Sequence, residues 1–92
     1  MKGMTQKRLN EMLDNRVDIL DAVETLGRLA SQGVEIPEAC KPRTDAIYRM
    51  AIDRLKDEKM YHTARNVAKQ AGFEEEAKKL DELAREYAEL VI

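Results

Sequence analysis

The chain has 92 residues, 37% charged and 43% apolar, with a formal net charge of −2. That length suits one domain with a modest core that needs no disulfide or metal, and the mix excludes a disordered chain. No basic excess exists to neutralise phosphates, so nucleic acid is excluded as a main partner, and no apolar run approaches the roughly 18 residues that cross a bilayer.

A single cysteine, Cys40, has no internal disulfide partner and fits a reducing compartment. The opening MKGMTQKRLNEML has charge but no apolar core of the signal-peptide kind. A cytoplasmic location is the expectation.

The first element is expected from Thr5 to Gln32. Leu9, Met12, Leu13, Val17, Ile19, Leu20, Val23, Leu26, Leu29 and Ala30 recur at spacings of three and four, which is a helical period with a wide stripe. Thr5 is the expected N-cap and Gly33 the stop. An unbroken helix of this length measures about 42 Å at 1.5 Å per residue. The loop Gly33 to Pro42 follows, with Pro37 placed to open one short helical turn and Pro42 to close it.

A second helix is expected to start at Thr44, another N-cap candidate, with Ile47, Met50, Ala51 and Leu55 as its stripe and Tyr48 and Ile52 beside it. KDEK, Lys56 to Lys59, is polar all round, and the apolar face restarts out of phase at Met60 and Tyr61. A turn is expected there. Ala64, Val67, Ala68 and Ala71 carry the next helix to Gly72. The last helix begins at Phe73 and carries Ala77, Leu80, Leu83, Ala84, Tyr87, Ala88, Leu90 and Val91. Its first turn holds Glu74, Glu75 and Glu76, which suit the helix dipole. Small residues on both of the last two helices let their axes approach closely, so 61–87 is expected as a tight antiparallel hairpin turned at Gly72.

No strand period appears. The expectation is an all-α chain: a single helical domain over 1–92, built as a small antiparallel bundle of three to four helices with a long N-terminal helix.

The chemistry-bearing patterns are few. There is no glycine-rich phosphate loop, CxxC or HExxH, and no serine or cysteine nucleophile with a histidine nearby in sequence. His62 is the only histidine, which leaves a metal without a second imidazole. No metal and no cofactor is expected. The carboxylates of EEEAKKLDE are spaced to pair Glu74 with Lys78 and Glu75 with Lys79 on a solvated face. Met12, Met50 and Met60 read as core filler.

Two resemblances arise around His62. The stretch MYHTARNVAKQAGFEEEAKKLDELARE, residues 60–86, resembles the signature of histidine-containing phosphotransfer domains, which are small four-helix bundles. Thr63, Arg65 and Gly72 stand where that family has Ser or Thr, Lys and Gly; Asn66 stands where it has a small residue. The resemblance implies His62 as phosphoacceptor with Arg65 as its cation. Residues 45–78 also resemble a tetratricopeptide-like helical hairpin, with Tyr48 at the large aromatic position and Ala64 and Ala71 at the alanine positions. One such unit cannot bury its own face, and no second copy is present. That reading makes His62 an ordinary half-exposed residue.

The leading expectation is a non-enzymatic helical module for protein–protein interaction or scaffolding. Its partner is another protein or itself, and a homodimer is the simplest closure. The interface is expected on the first helix, at Leu9, Met12, Leu13, Val17, Leu20 and Val23, where the stripe is wider than one neighbour covers. The alternative is a phosphotransfer protein acting through His62. An enzyme ranks last, because no nucleophile, base and oxyanion donor come together.

Overall fold

The structure, a computed structural model, describes residues 2–15 and 18–91. It is all-α, with five α-helices in chain order: α1 (Gln6–Asp14), α2 (Ile19–Ser31), α3 (Lys41–Asp57), α4 (Tyr61–Ala71) and α5 (Glu74–Val91). One two-residue parallel bridge joins β1 (Lys2–Gly3) to β2 (Val34–Glu35), a feature too short to leave a period in the sequence. The chain divides into two compact units, 1–47 and 48–92.

In the first unit, the long N-terminal helix is corrected to two. Thr5 caps α1 as expected, its hydroxyl accepting from the Arg8 N–H at 3.2 Å. The helix then stops at its C-cap Asn15, and Asp18 caps α2 by accepting from the Leu20 N–H at 3.0 Å. The buried residues explain the break. Leu9 and Leu13 are buried on α1, and Ala22, Val23, Leu26 and Leu29 on α2. At 100° per residue an unbroken helix would turn these two sets about 130° apart, so one straight rod cannot bury both on the same side. The wide stripe is two faces, not one.

Gly33 ends α2 in the left-handed region at φ +71°, as its position in the sequence suggests. A 3₁₀ turn, Glu38–Cys40, follows Pro37 and packs against α1, with the Cys40 thiol buried. Pro42 does not end it. α3 starts at Lys41, so Pro42 sits in a first helical turn, where its missing N–H costs nothing. Thr44 is therefore inside the helix rather than its cap, and its buried hydroxyl donates back to the Lys41 carbonyl at 3.1 Å. Arg43 reaches α1, donating to Asn10 Oδ1 at 2.9 Å and pairing with Asp14.

In the second unit the expected turn at 56–59 is present, with Lys59 at φ +62° between α3 and α4. Gly72 closes α4 at φ +81°, and its N–H and that of Phe73 bond back to Lys69 and Ala68. α5 then returns antiparallel along α4. Ala64, Ala68, Ala77 and Ala84 are buried between them, with Leu80 fully enclosed. Burial of a leucine of this kind contributes about 1.5–3 kcal/mol. The Tyr48 hydroxyl accepts from Gln70 Nε2 at 3.0 Å, and the Tyr48 and Phe73 rings meet edge to face at 6.4 Å. Arg49 lies 4.6 Å over the Phe73 ring, and Lys56 reaches Glu76 at 4.0 Å. These contacts run the 48–57 segment of α3 alongside the start of α5.

Candidate functional site

The features that stand out in the second unit lie at the free end of α5. That helix has eighteen residues and α4 has eleven. Their hairpin starts at Gly72, so the shorter arm runs out first. Tyr61, the first residue of α4, meets Tyr87 edge to face, ring centroids 5.6 Å apart. Beyond Tyr87, α5 continues to Val91.

Leu83, Tyr87 and Leu90 fall at i, i+4 and i+7, on one side of α5. With Tyr61, Lys59 and Glu86 they line a shallow groove of about 390 Å³. Leu90 is 85% exposed, Met60 45% and Tyr87 39%. This is a run of apolar side chains in water, edged by a cation at Lys59 and a carboxylate at Glu86. Met50 is also exposed and Met12 is half-buried, so of the three methionines read as core filler, Met50 and Met60 are corrected to surface.

The expected first-helix interface has a different placement. Leu9, Leu13 and Val23 are buried in the chain's own core, and Met12 and Leu20 are half-buried. Val17 lies outside the described residues. The premise of an uncovered stripe does not hold for the three buried positions, because α1 ends at Asp14, α2 begins at Ile19, and each buries its own face.

His62 is exposed, in the first turn of α4 rather than mid-helix. Arg65, its expected cation, turns to α5 instead. Its Nη1 donates to Asp81 Oδ1 at 2.9 Å, and Asp81 Oδ2 receives Arg85 Nη2 at 3.1 Å. The hydrogen bond from Arg65 holds the Asp81 carboxyl below its ordinary value, with the Arg85 charge adding to it. The Arg65 Nε is buried without a hydrogen-bond partner.

Among the described residues, no three His, Cys, Asp or Glu side chains gather as a metal site would require, and no helix is long and apolar enough to cross a membrane. In comparison with known proteins, the chain matches no family model, no curated protein and no solved structure.

Proposed function

We propose that this chain is a non-enzymatic helical interaction module that acts in the cytoplasm and pairs with a second copy of itself through the free end of α5. The observation that carries the reading is the groove at this end of α5, where Leu90, 85% exposed, lines an apolar surface with Tyr61, Leu83 and Tyr87. Apolar groups placed side by side on a surface gain by removal from water, and soluble chains use such patches for contact. The edge chemistry favours a like partner. Lys59 and Glu86 flank the same groove, so a two-fold axis through it sets each copy's lysine against the other's glutamate. The buried free Cys40 fits a reducing compartment.

The test is a pair of substitutions, Tyr87→Glu with Leu90→Glu, read by light scattering on a sizing column. Both positions are exposed, so the helix content by circular dichroism is expected to hold while the two-chain mass is lost. A wild type that runs as one chain at high micromolar concentration would rule out self-pairing and leave the patch to a different protein.

A second reading keeps His62 as a phosphoacceptor, and the exposure of its imidazole favours it. Acid-labile label on the wild type from a receiver-domain phosphodonor, lost in His62→Gln, is the result it requires; no label on the wild type removes it.

A further inference from the structure

A separate cleft lies in the first unit. It has a volume of about 550 Å³, within the range of about 300–1,000 Å³ common for small-molecule sites. Its walls are Met4, Met12, Leu29 and Val34, and its polar groups include Arg8 and Gln32. Among the described residues, no acidic side chain lines it. Arg8 is exposed, and among the described residues it forms no ion pair.

We infer that this cleft binds an amphipathic monocarboxylate, with the alkyl chain between the methionines and the carboxylate on the Arg8 guanidinium. Arginine presents a planar fork of donors that matches a carboxylate, and an unpaired one beside an apolar cleft is a ready counter-charge. Methionine side chains are unbranched and soft, so Met4 and Met12 adjust to a flexible alkyl chain without a rigid template. The whole chain carries a net charge of −2, so its long-range field opposes an anion. A preference for carboxylate over ammonium on the same alkyl chain must then come from the local cation.

The experiment is an amide NMR titration of the full chain with sodium decanoate below its micellar concentration, repeated with decylammonium chloride. The expected result is saturable shifts at Gly3, Met4, Gln32 and Val34, with residues 61–90 unmoved, and a decanoate affinity above that of decylammonium. Arg8→Gln is expected to weaken decanoate by about tenfold, or one decade in Kd, and to leave decylammonium unchanged. Met12→Gln, which removes apolar wall while keeping the charge, is expected to weaken both. Equal affinity for the two amphiphiles, an unchanged decanoate affinity in Arg8→Gln, shifts confined to 61–90, or no saturable shift would each overturn the assignment. So would cosedimentation with phosphatidylglycerol vesicles without any response to monomeric decanoate, which would make a membrane surface the partner.

Discussion

Asp81 divides its two oxygens between two arginines, at 2.9 Å from Arg65 and 3.1 Å from Arg85. Its folded-state acidity is stronger than the ordinary 3.8. A carboxyl whose pKa is depressed by folding stabilises the fold above its unfolded pKa and loses that contribution as the pH falls through the folded one. Asp81→Asn is therefore expected to lower the melting temperature at pH 7, and the gap to wild type is expected to close as the buffer is taken below pH 3.8; thermal melts from pH 7 to 2.5 read it directly. Gly72 offers a second test. A Cβ there meets nothing within 4 Å, so the cost of Gly72→Ala is backbone alone. At φ +81° that cost is about 1 kcal/mol by urea unfolding, and an unchanged midpoint would contradict the left-handed cap. Gly72 was legible from sequence because a glycine between two alanine-spaced helices has one common use. The engagement of Arg65 was not. Its distance from His62 in sequence places the two on one helix, whereas its partner Asp81 sits sixteen residues on and is found only when the hairpin closes.

At the scale of elements, the hairpin 61–87 followed from small residues at three and four spacings on both arms; Ala64, Ala68, Ala77 and Ala84 are buried as expected, whereas Ala71 is half-buried and Ala88 exposed. The split between α1 and α2 was harder to see. Val17 and Leu20 continue the spacing of Leu9 and Leu13, so periodicity runs on although α1 ends at Asp14 and α2 begins at Ile19. The signal available was the stripe's excessive width, joined to Asn15 and Asp18, residue types that favour helix ends. The start of α3 was misplaced for a related reason: a proline marks either the end of one helix or the first turn of the next, and only the backbone distinguishes them. The cap at Asp18 is testable. Asp18→Ala removes the bond to the Leu20 N–H and is expected to cost about 1 kcal/mol of stability by urea unfolding. No loss would mean that α2 begins without help from that side chain.

At the scale of the whole chain, the composition and its periodicity predict helices, but they do not show which apolar residues stay wet. Tyr87 and Leu90 continue at steps of three the stripe of the buried Leu80 and Ala84. Their exposure comes from the unequal lengths of α4 and α5, a relation between two helix ends rather than a property of either. Self-pairing through that end makes a specific demand on charge. Lys59→Glu sets like charges against each other twice in a two-fold pair, and so does Glu86→Lys. A mixture of the two variants restores both attractive contacts. Sedimentation equilibrium of each variant alone and of their equimolar mixture is the most direct test, with the 10.6 kDa single chain as reference. The wild type and the mixture are expected to reach twice that mass at micromolar concentration, and each variant alone to associate about tenfold more weakly. A mixture no heavier than its separate components, or a wild type that stays at 10.6 kDa, would contradict pairing through the end of α5.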